Sequence, residues 1–208
     1  MTKGLFITLE GADGSGKTTQ MERIIEYFQK NNLPYLVTKE PGGIGVGEKI
    51  REILLNHKGP VSSRCEMFLY LADRAQNIDV LVQPAIEEGK LVLCDRHADS
   101  TVAYQGYARG LDVEQINMLN NIATGGKKPD LTLLFDVETS IAMQRVGNRA
   151  EKDRLESEGA VFHAKVRQGY LAIAQKEPER IKIIDANLSV EDVWAQVKTI
   201  LDTTISPV

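Results

Sequence analysis

The chain has 208 residues, of which 42% are hydrophobic and 26% charged, and its net charge is −4. That length suits one domain, and the balance of apolar and charged residues excludes a disordered or collagen-like chain. The acidic total argues against a nucleic-acid partner, so an anionic ligand must be held by a local group of cations. Cys65 and Cys94 lie far apart with no CxxC pattern, which predicts neither a disulfide framework nor a zinc site and suits a reducing, cytoplasmic setting. The longest apolar runs, 91–94 and 131–135, are too short to span a bilayer, and no secretory pattern opens the chain, so no membrane partner is expected.

In chain order, residues 5–9, 35–38, 91–94, 131–135 and 181–184 read as five short strands. Three of them are nearly continuous apolar runs, as in parallel strands covered on both faces. The segments between them have helical spacing. Met21, Ile24, Ile25 and Phe28 form one stripe that Asn31 and Asn32 end. Ser63 with Glu66 has capping-box spacing, which predicts a helix running through Phe68, Leu71 and Ala75. Ser189 and Asp192 open a last stripe through Val193, Val197 and Leu201. Strand–helix alternation from end to end predicts an α/β fold over 1–208, one domain with an open, doubly wound parallel sheet.

The run Gly11-Ala12-Asp13-Gly14-Ser15-Gly16-Lys17-Thr18, followed by Thr19, matches G-x-x-x-x-G-K-[ST] between the first strand and the first helix. Its glycines let successive backbone N–H groups curl toward phosphate oxygens, and the helix N-terminus adds partial positive charge. Lys17 is expected at the β- and γ-phosphates of a nucleoside triphosphate, and Thr18 at Mg²⁺. This predicts a P-loop NTPase fold: a five-stranded parallel sheet with helices on both faces. A GTPase would need an N-K-x-D loop to read guanine, and the sequence has none.

Three further segments place polar residues where a parallel sheet puts its ligands, at the carboxyl ends of strands. They are Glu40-Pro41-Gly42-Gly43 with Arg51 beyond it, Ala72-Asp73-Arg74-Ala75-Gln76, and Asp95-Arg96 with Ser100, Thr101 and Ala103-Tyr104-Gln105-Gly106. Arg51, Arg74 and Arg96 can converge beside the phosphate loop and hold a second anionic substrate. Asp95 stands where P-loop proteins carry a metal-ordering carboxylate.

With Pro129-Asp130 and Asp153-Arg154-x-Glu156, these motifs run through the whole chain in an order that resembles the bacterial thymidylate kinases. Lys39, Ile44 and His97 stand where that family usually has Arg, Thr and Tyr. The resemblance implies transfer of the ATP γ-phosphoryl to thymidine monophosphate (dTMP), Mg²⁺ as cofactor, and a homodimer. It places Phe68 against the thymine and Arg74 on its O4, with Ser100, Thr101 and Gln105 along the base edge. Pro41 also belongs to this substrate set. Arg51 and Arg96 would hold the monophosphate, Asp13 would contact the 3′-hydroxyl or order the metal, and Tyr104 would close the 2′ position. On sequence alone Phe68 reads equally as a core aromatic, Arg74 with Asp73 as an exposed pair, and His97 and His163 as packing or surface groups.

The polar segment 147–159 reads either as a solvated turn or as a lid. The phosphate loop contains no arginine, and a well-placed arginine supplies ~10³–10⁵ in phosphoryl-transfer rate. Arg149 and Arg154 are the candidates to bring that charge, Arg154 being placed mid-segment. Two rivals remain open at this point: a kinase for another nucleoside monophosphate, and a domain that binds nucleotide without chemistry.

Overall fold

The five apolar runs form one parallel sheet in the computed structural model, which describes residues 4–147 and 154–205. Its strands are β1 (Leu5–Glu10), β2 (Tyr35–Lys39), β3 (Leu91–Asp95), β4 (Leu131–Asp136) and β5 (Ile181–Asp185), in the order β2-β3-β1-β4-β5. Every predicted strand is present and runs one residue further at its carboxyl end. The added residues are Glu10, Lys39, Asp95, Asp136 and Asp185. All are polar, so hydrophobicity does not assign them to a strand, yet their backbones continue the ladder. Leu9 and Lys39 both pair with Asp95, which brings the ends of β1, β2 and β3 level.

Both faces of the sheet are covered. Ile7, Leu9, Leu93, Leu133, Phe135 and Ile184 lie under α1 (Lys17–Lys30) and α9 (Val190–Thr204), where Ile24, Phe28, Val193, Val197 and Leu201 complete the larger core. On the other face, Leu134 and Ile181 meet Val166, Tyr170 and Ala174 of α8 (Ala160–Lys176). Phe6, Val92 and Cys94 of that same face pack on Ile78, Val82 and Ala85. The side-chain alternation of each strand therefore feeds two separate cores, and central strands read as unbroken apolar runs.

Between the strands the chain forms α2 (Val46–Asn56), α3 (Ser63–Asn77), α4 (Gln83–Glu87), α5 (Ala98–Thr101), α6 (Val113–Ala123) and α7 (Thr139–Gly147). Two stretches widen to i→i+5 hydrogen bonding, Ile78–Val82 and Val102–Ala108. Such wide turns inside helices are frequent at functional sites, and the second one carries Tyr104 and Gln105.

Helix ends follow local chemistry. α1 stops at Lys30, and Asn32 takes a left-handed φ of 53° as the Asn-Asn stop predicts. Ser189 caps α9 by accepting the Asp192 amide at 3.2 Å. The start of α3 differs from expectation. Its cap is Ser62, which accepts the Cys65 amide at 3.3 Å, and Ser63 is the first helical residue. Glu66 cannot reach back to complete a box because it is buried and bound to Gln105 and Arg109. Ser62→Ala should therefore cost about 1 kcal/mol in urea unfolding. Ser63→Ala should stay within about 0.5 kcal/mol. The opposite ranking would restore the box at Ser63.

Candidate active site

The carboxyl ends of β1 and β3 open into a cavity of about 590 Å³. One wall is the phosphate loop. At Gly14 a Cβ would collide with the Ala142 carbonyl, and Gly16, at φ 87°, is the N-cap of α1. Both positions need glycine, and the curl leaves the helix N-terminus facing the cavity. Asp13 and the residues from Gly14 to Thr19 line it, whereas Gly11 and Ala12 lie behind the lining.

Lys17 is buried, with Nζ donating to the carbonyls of Gly11 at 2.9 Å and Ala12 at 3.1 Å. Burial, and then the charge of Arg96, pull its ammonium down to about 8 against the attraction of Asp95, Asp13 and Glu10. An anion arriving at the loop supplies the charged partner that the ammonium lacks.

The second wall carries the arginines. Arg96 donates to the carbonyl of Gly11 at 3.0 Å and pairs with Asp13 at 2.5 Å, and Tyr104 donates to the other Asp13 oxygen at 2.9 Å. Burial opposes ionisation of Asp13, but Arg96, Lys17 and Tyr104 outweigh it and hold the carboxyl well below the usual carboxylate range. The Arg96 backbone has φ 69°, a left-handed conformation that costs a non-glycine residue about 1–3 kcal/mol. Arg51 donates to the carbonyl of Pro41, the residue that follows a cis Glu40-Pro41 bond, at 2.7 Å.

Arg74 is 1% exposed, so it is no surface pair. Its Nε meets Glu40 at 2.9 Å, and Nη1 donates to Thr101 at 2.9 Å and Asn120 at 2.6 Å. That arrangement leaves Nη2 for the cavity, which Arg74 lines. Asp73 instead turns away and accepts the Gly42 amide at 2.9 Å. Burial and the nearby Glu40 push its carboxyl up to about 7.

Ser100, Thr101, Tyr104, Gln105, Pro41 and Asp95 join the lining, as the sequence pattern predicts. Phe68 does not. It is 54% exposed, because two residues along α3 amount to more than half a turn, and the cavity-facing aromatic of that helix is Tyr70, one turn before Arg74. Arg154 is not brought to the phosphate loop either. It donates to the Leu54 carbonyl at 3.0 Å and pairs with Glu66 at 2.6 Å, while Leu155 and Glu156 reach the lining. The segment is thus no wholly solvated turn, since Leu155 packs into the α8 core. Arg149 lies outside the described residues.

Sequence reasoning misses Arg145 in the cavity and the buried partners of Glu40 and Glu10. Arg145 of α7 reaches the Gly14 carbonyl at 3.2 Å and lines the phosphate-loop wall. Glu40 accepts from Arg74, Asn77 and His97, and His97 also stands edge-on to Phe6. Glu10 is the buried acceptor behind Arg96. In Glu10 and Glu40, an acidic residue at the end of an apolar strand was the available signal.

Asp95 also lines this space together with Thr18, and among the described residues its buried Oδ1 has no hydrogen-bond partner. An orphaned carboxylate oxygen that shares a cavity with a hydroxyl and a phosphate loop fits a hard divalent cation carried in with nucleotide. A phosphate loop, an unpartnered carboxylate and a facing set of arginines in one cavity are the arrangement of a P-loop nucleotide kinase. A model of the family described as thymidylate kinase matches residues 9–197. The chain is 49% identical to the thymidylate kinase of Desulfosudis oleivorans, over 88% of this chain and 89% of that protein. It is 47% identical to the thymidylate kinase of Clostridium novyi, over 97% and 100% respectively. The chain belongs to the thymidylate kinase family.

The buried Glu40–Arg74 pair sets a testable pH dependence. Burial alone would raise Glu40, but His97 and Arg74 bring it down to about 2 from 4.5. A lowered folded-state value gives stability that is complete above 4.5 and is lost as the pH falls toward 2. Glu40→Gln should cost about 3–5 kcal/mol at pH 7 by leaving a buried guanidinium uncompensated. It should also flatten the acid limb of stability against pH, measured by urea unfolding at each pH. An acid limb as steep as the wild type's would contradict this role.

Proposed function

We propose that this chain transfers the γ-phosphoryl of ATP to dTMP, giving ADP and dTDP on the route to dTTP. The observation that carries the proposal is that one cavity joins the phosphate loop to Arg51, Arg74 and Arg96, so donor and acceptor phosphates can meet inside it. Backbone amides from Asp13 to Thr19 cradle the ATP phosphates, with Gly11 and Ala12 shaping the loop behind them, and Lys17 exchanges its loop carbonyls for the β- and γ-oxygens. Thr18 and Asp95 would hold Mg²⁺, which when bound screens the charge on those phosphates.

Arg51 and Arg96 take the dTMP phosphate, and Arg74 donates its Nη2 to thymine O4. Asp13 fixes Arg96 and is placed to meet the sugar 3′-hydroxyl. Ser100, Thr101 and Gln105 edge the base, while the Tyr104 ring fills the 2′ side of the sugar. Stacking on thymine has no support from Phe68 in this cavity; Tyr70 is the aromatic it presents. No histidine base is required, because the acceptor is a phosphate oxygen already ionised.

Transfer then rests on alignment and on cations around the moving group. Arg96 and Lys17 stand in the cavity, and Arg154 and Arg149 are the proposed additional cations, Arg154 after leaving Glu66. Among the described residues no helix is long and apolar enough to cross a membrane. A cytoplasmic homodimer is proposed with this function. Met118 and Ile122 lie one turn apart on α6 and are mostly exposed, an apolar strip suited to a second copy.

A coupled ADP-release assay over a panel of monophosphates should give dTMP the highest kcat/KM. The ribo analogue of dTMP should fall at least about tenfold below it, because the Tyr104 ring leaves its 2′-hydroxyl clashing or unpaired. Lys17→Ala should lose nearly all turnover, and some stability besides, since the side chain is buried. Preference for another base, or equal rates on both sugars, would overturn the reading.

A further inference from the structure

Glu10 closes β1, is 0% exposed, and lies behind the cavity rather than in its lining. Its oxygens have separate partners. Oε1 accepts the His97 amide at 2.7 Å, and Oε2 accepts the hydroxyls of Ser100 at 2.6 Å and Tyr170 at 2.9 Å. Those two hydroxyl oxygens also face Arg96, whose Nη1 is 3.1 Å from Tyr170 and 3.4 Å from Ser100.

A hydroxyl has one proton, and a guanidinium can only donate. A hydroxyl between a carboxylate and a guanidinium therefore gives its proton toward the carboxylate and its lone pairs to the guanidinium. The 2.8 Å contact between Ser100 and Tyr170 lets one hydroxyl donate to the other, and the chain of donors still ends at Glu10. Glu10 thus sets the polarity of the acceptors that hold Arg96.

The backbone adds a second constraint. Arg96 has φ 69°, and its turn is fixed from both sides by β1: Arg96 N donates to the Leu9 carbonyl at 2.9 Å, and His97 N donates to Glu10. Loss of either contact frees a conformation that a non-glycine residue does not favour.

We propose that Glu10, acting with Tyr170 of α8, is a positioning residue for the monophosphate-binding guanidinium of Arg96. It acts through the His97 amide and the two hydroxyls, without touching substrate. The proposal rests on the reading of Arg96 as a dTMP-phosphate ligand.

The test compares Glu10→Gln, Tyr170→Phe and Arg96→Ala in the full chain, by KM for dTMP, KM for ATP, kcat and thermal melting. A glutamine carbonyl can keep the His97 amide, but its NH₂ must donate to the hydroxyls and claim the lone pairs that face Arg96. Glu10→Gln should raise the KM for dTMP about tenfold, the worth of one hydrogen bond to a charged group, with the KM for ATP within about twofold. Tyr170→Phe should raise the KM for dTMP by about three- to fivefold, with the same selectivity. A purely structural role would lower the melting temperature and leave the KM ratio unchanged. An unchanged KM for dTMP in both variants, or a parallel rise for both substrates, overturns the proposal. If Glu10→Gln does not fold, Tyr170→Phe decides by the same criterion. If Arg96→Ala raises the KM for dTMP and the other two do not, the positioning role alone has failed. An Arg96→Ala enzyme with normal KM for dTMP refutes the reading of Arg96, and the proposal falls with it.

Discussion

The site depends on guanidinium groups held inside the protein by carboxylates before any substrate arrives. Arg74 and Glu40 are each almost wholly removed from water and meet at 2.9 Å. Arg96 pairs with Asp13 as well, though both of these side chains keep about a fifth of their surface open to the cavity. In the Arg74–Glu40 pair, desolvating either charge alone would cost several kcal/mol, so each partner depends on the other. Both pairs stand at the carboxyl ends of β1, β2 and β3, where the parallel register levels three strands. The sheet therefore fixes the arginines' positions, and the arginines fix where a phosphate can sit.

This has a catalytic consequence. Groups that are aligned in advance need no reorganisation when charge develops on a transferring phosphoryl. The buried acceptors on Arg74, two of them neutral oxygens from Thr101 and Asn120, hold the fork rigid and leave one nitrogen for the ligand. The phosphate loop supplies the opposing cation through Lys17, kept partly desolvated so that an incoming anion is its strongest available partner. The phosphate loop and the arginines thus share one cavity, and an α/β sheet provides the frame for both.

What the sequence discloses and what it conceals divides along range of interaction. The phosphate loop, the five strands and the Ser189 cap rest on neighbours within a few residues, and all of them are legible there. The same holds for the arginines on short motifs after strand ends. The partners of those arginines are long-range: Arg96 reaches Asp13 across 83 positions, and Arg74 reaches Asn120 across 46. Periodicity gives such pairings no trace. Phe68 misleads because a helix face is decided by what packs on it, and Tyr70, two residues on, faces the cavity instead. Glu66 misleads for the same reason, since a buried acceptor for Gln105 and two arginines has the spacing of a cap. The widened turn at Val102–Ala108 has no compositional mark, although it sets the orientation of Tyr104.

A structure of the protein with dTMP bound tests the central claim most directly. Preorganisation predicts the phosphate on Arg51 and Arg96, the thymine edge on Arg74, and the Glu40–Arg74 and Asp13–Arg96 pairs intact at their present distances. A monophosphate bound elsewhere, or an Arg74 that abandons Glu40 to reach the base, would contradict it.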